Sequence, residues 1–196
     1  MKDNSRNRPG KDPMDKFSIH SQQTAVLIID IQDRLAAAMP LKDQITNNCL
    51  ILIEAAKQFQ IPVVLTEQYP KGLGRTLDEI QRALPGVDPF EKLSFNCCDE
   101  AGFLEKIRGL GKKKLLLAGM ETHICILQTA LGLLREGFDI QIVRDAVCSR
   151  TKTNFKTGLG TLDRAGAVIT STETVIFQLL QKAGSDAFKT LSKLIK

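Results

Sequence analysis

The stretch KKKLLLAGMETHICILQTALGLL, Lys112 to Leu134, decides how this chain is read. KLLLAGM (114 to 120) is an apolar run too short for a helix, and from about residue 122 to 136 the apolar residues recur at helical spacing. The stretch is therefore a strand that enters a helix through a tight turn. Cys125 stands at the opening of that helix, where the positive end of the helix dipole favours a thiolate. A Cys among Ile and Leu is otherwise an ordinary small core residue, so any chemistry at Cys125 has to come from its partners.

The same alternation extends in both directions. AVLIIDI (25 to 31), a helical pattern over 43 to 59 and PVVLTEQ (62 to 68) precede it. The turn-rich YPKGLG, a short helical segment at 76 to 83 and a connection punctuated by PG and DP lead to a short strand in FEKLSF, then a helix over 99 to 108. DIQIVRDA (139 to 146), a helix over 152 to 165, AVITST (167 to 172) and closing helices from TETVIFQLL onward complete the series. Strands that are apolar throughout are buried on both faces, so the expected fold is α/β: a three-layer α/β/α sandwich with an open, Rossmann-like parallel sheet of about six strands. With 196 residues, 43% of them hydrophobic, one core is the natural outcome. Residues 1–17 are polar and without periodicity and are expected to form a disordered tail, with the domain running from 18 to 196.

Composition narrows the function. The net charge of +5 owes much to Lys2, Arg6, Arg8, Lys11 and Lys16 and to the KKK cluster at 112 to 114. With no Trp and 1 Tyr there is no basic stripe interleaved with aromatics, which speaks against nucleic acid. Cys49, Cys97, Cys98, Cys125 and Cys148 are odd in number and follow no zinc spacing, so a reducing, cytoplasmic setting is expected. The N-terminal stretch lacks an apolar signal core and no run of 18 apolar residues occurs, so neither export nor membrane spanning is expected.

In an open parallel sheet ligands bind beyond the C-terminal strand ends. Asp30 ends AVLIID, Lys92 lies in FEKLSF and Cys125 follows KLLLAGM. Singly, these residues read as a helix cap, a solvated charge and a core thiol. Together they make a nucleophilic set: Cys125 attacks, Lys92 lowers its pKa, and Asp30 serves as general base and then general acid. His20 is at the edge of the tail, and His123 reads as a polar residue that packs the turn. Asp145 reads as a cap more readily than as a carboxylate supporting the site. Arg150 and Lys152 are either anion contacts or solvated charges, and Cys97 and Cys98 read as buried packing near the Lys92 strand.

LIIDIQDRL, PFEKLSFNCC and AGMETHICILQTALGL, in that order, resemble the isochorismatase-like cysteine hydrolases over about residues 18 to 182. VRDAVCSR and TEQYPKGLG are similar to an uncharacterised branch of that family rather than to its nicotinamidases. The resemblance implies an Asp30, Lys92 and Cys125 triad, a cis peptide between Met120 and Glu121, and an oxyanion hole built from the amides of Glu121 and Cys125. It also implies a homo-oligomer, a dimer or tetramer. Nicotinamidases hold a metal through an Asp-x-His pair and a further His, and TEQYPKGLG contains no His, so no metal and no cofactor are expected. Gln68, Tyr69, Phe90, Phe95 and Met120 are candidates for lining the pocket of a small-molecule substrate. The expected activity is cysteine-dependent hydrolysis of a small amide or related acyl (C–N) compound. Vinyl-ether hydrolysis of the isochorismatase type, a ligand-binding or interaction module without turnover, and RNA binding or cleavage are the competing readings.

Overall fold

The computed structural model describes residues 12–195. Six strands, β1 (Thr24–Ile29), β2 (Val63–Gln68), β3 (Phe90–Lys92), β4 (Lys114–Met120), β5 (Asp139–Cys148) and β6 (Val168–Thr170), form one sheet in the order β3-β2-β1-β4-β5-β6. Every pairing is parallel. The strand order reverses direction between β1 and β4, which is where an open α/β sheet opens a crevice.

The helices are α1 (Asp33–Ala37), α2 (Lys42–Gln58), α3 (Pro70–Leu73), α4 (Asp78–Ala83), α5 (Phe103–Gly109), α6 (Leu127–Arg135), α7 (Lys152–Arg164), α8 (Thr172–Leu180) and α9 (Asp186–Leu191). Alternate residues of each central strand feed opposite layers. Val26 and Ile28 of β1 join Leu116 and Ala118 of β4 in a core covered by α2, α4, α8 and α9. Ala25, Leu27 and Ile29 join Leu115 and Leu117 in the core beneath α5, α6 and α7. β1 and β4 are buried along their whole lengths, as apolar runs without alternation require. The expected three-layer sandwich is the one observed.

The N-terminal boundary differs from the reading by composition. Residues 1–11 of the expected tail lie outside the described residues. Residues 12–17, however, are docked: Asp15–Phe17 form a 3-10 turn, and the buried Lys114 ammonium bonds to the Asp15 backbone oxygen and, at 2.8 Å, to that of Ser18. Gln141 Nε2 donates to the Lys16 carbonyl at 2.8 Å. Lys114 reads as part of a surface charge cluster, yet its long stem lies inside and its head is satisfied by main-chain carbonyls. Among the described residues no helix is long and apolar enough to cross a membrane.

β1 and β4 approach closely at Gly119, which has φ of +121°. A Cβ built there would stand 1.9 Å from the Ile29 carbonyl oxygen, a contact that only movement of β1 relieves. Gly119→Ala is expected to cost several kcal/mol or to abolish soluble expression. Gly109→Ala, at the end of α5 with no atom near its Cβ, is expected to be neutral or stabilising by up to about 1 kcal/mol. Thermal melts of the two variants beside the parent check the pair.

Candidate active site

Asp30, Lys92 and Cys125 come together at the C-terminal edge of the sheet, one from each of β1, β3 and the turn after β4. Asp30 has a positive φ of 55°, a conformation that Asp tolerates better than bulkier residues, and it turns the carboxylate back over the strand ends. Its amide donates to the Thr66 carbonyl at 3.2 Å and its Oδ1 accepts from Thr66 Oγ1 at 2.6 Å. Its Oδ2 accepts from Lys92 Nζ at 2.8 Å, and both side chains of this ion pair are fully buried.

An ammonium in such a place needs all three of its N–H bonds placed. Lys92 Nζ donates also to Gln68 Oε1 at 2.6 Å and to the Ser94 carbonyl at 3.4 Å. Burial lowers the Lys92 pKa, but the Asp30 carboxylate and the neighbouring Cys97 and Cys125 outweigh it, and the net shift is upward. Lys92 therefore keeps its charge. Gln68 is itself held, its amide donating to Gln32 Oε1 at 2.8 Å and its Nε2 to the Leu93 carbonyl at 2.7 Å. Gln32 Nε2 returns a bond to the Gln68 carbonyl at 3.0 Å.

Cys125 lies in a π-helical turn, Thr122–Ile126, closed by an i to i+5 bond from the Ile126 amide to the Glu121 carbonyl at 3.2 Å. π-turns recur at functional sites because the extra residue re-aims a side chain. The Met120–Glu121 peptide is cis. Gly158 of α7 lies against this turn, its Cβ position 3.0 Å from His123 Cα, so only a residue without a side chain packs here. Glu121 is anchored by Arg150, whose amide donates to Oε2 at 2.9 Å, and His123 Nδ1 is 2.9 Å from Ser149 Oγ.

The electrostatics of the thiol differ from the sequence expectation. Burial pushes the Cys125 thiol up, the Asp30 carboxylate adds to the rise both by its charge and as hydrogen-bond acceptor, and Lys92 only partly offsets them. Lys92 thus acts in the expected direction and loses to desolvation and Asp30. These directions favour the protonated form of the resting sulfur, with Asp30 as the carboxylate that acts on it.

The five pocket candidates fall in different places. Tyr69, in the left-handed region and half exposed, lines a cavity of about 510 Å³ together with Pro70, Lys71, Arg75, Lys92 and Leu93. Gln68 holds Lys92. Phe90 packs edge-on against Phe103 in the core, Met120 is fully buried in the opposite core, and Phe95 is exposed. Asp145 caps, accepting at Oδ1 from the Thr172 amide at 2.8 Å. The sequence reading missed Gln32, Thr66 and the Glu121–Arg150 pair. The polar Gln in LIIDIQDRL, just past the strand end, was the one available signal.

A nicotinamidase-type metal does not fit these residues. Glu67, the carboxylate nearest in sequence to that position, is committed to the Thr76 amide at 2.6 Å, Thr76 Oγ1 at 2.8 Å and Arg75 Nη1 at 2.9 Å. Among the described residues no group of His, Cys, Asp or Glu could hold a metal ion.

The isochorismatase domain model matches residues 24–174. This chain belongs to the isochorismatase family. The secreted isochorismatase effector Isc1 of Phytophthora sojae is 37% identical over 177 residues, covering 88% of this chain and 84% of the relative. Among solved structures, the MAR1 ribonuclease of Caenorhabditis elegans superposes with a TM-score of 0.85 at 32% identity, covering 91% of this chain and 92% of that one. The YcaC gene product of Escherichia coli, described as an octameric hydrolase of unknown specificity, superposes with a TM-score of 0.84 at 26% identity over 90% of each chain.

The raised thiol pKa has a measurable sign. Iodoacetamide alkylation of Cys125 is expected to rise with pH only above the ordinary thiol midpoint of about 8.5. Asp30→Asn removes the charge that holds the proton on sulfur and is expected to move the profile to lower pH, whereas Lys92→Met is expected to move it higher. A wild-type midpoint at or below the free-thiol value contradicts the arrangement.

Proposed function

We propose that the protein is a cysteine hydrolase that cleaves a small amide or related C–N acyl compound through an acyl-enzyme on Cys125. The observation that carries this reading is the placing of the buried Cys125, in the turn that opens its helix, within the field of an Asp30 carboxylate that the buried Lys92 ammonium fixes at 2.8 Å. Asp30 takes the thiol proton as the sulfur bonds to the substrate carbonyl carbon. The negative charge moves to the carbonyl oxygen, where the amides of Glu121 and Cys125 stabilise it, each worth roughly 3 kcal/mol in such sites. When the intermediate collapses, the C–N bond breaks and Asp30 returns the proton to the departing amine. Water then attacks the thioester with Asp30 again as base, and the Cys125 sulfur leaves as the acid is released.

Lys92 does not bond to substrate in this scheme. It holds Asp30 in place through the 2.8 Å ion pair, so it is a positioning residue with an electrostatic role. The cavity beside Tyr69 and Lys92 has the volume of a small-molecule site.

Two further features support finer parts of the reading. All five cysteines are free, which accords with a reducing, cytoplasmic setting, although the Phytophthora relative is a secreted protein. The octameric YcaC protein supports assembly into a homo-oligomer.

A panel of small amides and acyl ureas tests the reading. For any compound that is turned over, Cys125→Ala is expected to lower kcat by about a thousandfold or more, and mass spectrometry of the rapidly quenched parent is expected to show an acyl adduct on the Cys125 peptide. With a vinyl ether added to the panel, its full turnover by Cys125→Ala and loss in Asp30→Asn identifies acid-catalysed vinyl-ether chemistry instead.

A further inference from the structure

A second cavity, of about 560 Å³, lies between the chain leaving α1 and the face of α7, and neither Asp30, Lys92 nor Cys125 lines it. Leu41, Phe155 and Leu159 give it apolar walls, and Arg144, Lys152 and Lys156 bring three positive charges to it. No acidic residue lines it. Among the described residues the side chains of Arg144, Lys152 and Lys156 take part in no hydrogen bond or ion pair. Lys152 and Lys156 are four apart on α7, as are Phe155 and Leu159, so each pair is stacked along the helix and the charged row runs beside the apolar one. The floor is firm: Cys148 is the last residue of β5, and the buried Ser149 is tied to His123.

Uncompensated like charges repel one another, and among the described residues no acidic side chain lines the cavity to relieve them. A solvated surface cluster does not ordinarily enclose an apolar hollow of ligand size. The combination matches one ligand chemistry: an anionic head to neutralise the cations and an apolar body to displace water from Leu41, Phe155 and Leu159. We propose that this cavity is a binding site for a small organic carboxylate with an apolar body, separate from the cavity beside Tyr69 and Lys92. The carboxylate lies among Arg144, Lys152 and Lys156, and the hydrocarbon lies along α7 toward Leu159.

Fluorescence titration of the full chain with anilinonaphthalenesulfonate, followed by displacement with octanoate, tests the assignment. Saturable binding of one probe per chain is expected, displaced by octanoate and not by octylamine. The exposed Lys152 and Lys156 can be changed without disturbing the core, and the Lys152→Gln, Lys156→Gln double variant is expected to weaken octanoate about tenfold or more. Arg144→Gln is expected to act in the same direction, and Lys71→Gln, in the cavity beside Lys92, is expected to leave octanoate binding unchanged. The proposal is overturned if the double variant binds octanoate like the parent, or if Lys71→Gln abolishes binding. It is also overturned if the parent binds no probe and the double variant changes oligomeric state, which makes the face a contact between copies of the chain.

Discussion

A carboxylate and an ammonium 2.8 Å apart, both removed from water, are costly to hold and more costly to separate. Asp30 and Lys92 are 62 residues apart in the chain, and only the sheet brings them together. Parallel pairing sets Ile29 beside Thr66 and Gln68 beside Lys92, so β2 supplies a hydroxyl to the carboxylate and a side-chain carbonyl to the ammonium. Loss of either charge leaves the other buried without its counter-charge, so the register of three strands and the charge state of one site are a single constraint.

That constraint explains the state of the nucleophile. A thiol beside Lys92 alone is pushed toward thiolate, but beside an Asp30–Lys92 pair it meets little net positive charge and a ready acceptor. Desolvation then decides, and the proton stays on sulfur. In the proposed reaction the cost is modest reactivity at rest, and Asp30 is the carboxylate that takes the proton. Cys97 lies in the same field, and burial with the Asp30 charge pushes its thiol up to about 12 even with Lys92 nearby, so it is inert at neutral pH.

The parallel sheet was legible because β1 after Thr24 and β4 after Lys114 run without polar alternation, a pattern that burial on both faces produces and amphipathic strands do not. Asp30, Lys92 and Cys125 were legible as polar or reactive residues at three strand ends. What sequence did not expose were the residues that act across strands. Thr66 looks like ordinary strand filler, Gln32 looks like a surface amide, Gln68 reads as pocket lining and not as the holder of Lys92, and Phe90 and Phe95 look alike although one packs on the core and one is exposed. Side-chain direction at a short strand such as β3 depends on which neighbour covers it, and local pattern carries little of that. Lys114 and residues 12–17 misled for the same reason, since a buried lysine is specified by the carbonyls that meet it.

The central claim is that the resting protein holds Cys125 as a neutral thiol donating to an Asp30 fixed by Lys92. The infrared S–H stretching band in the difference spectrum between the parent and Cys125→Ala reports it directly, because the other four cysteines are common to both proteins. A band at neutral pH, shifted to lower frequency by its hydrogen bond to a carboxylate, is the predicted result. Its absence at neutral pH, with the sulfur already ionised, would contradict the account.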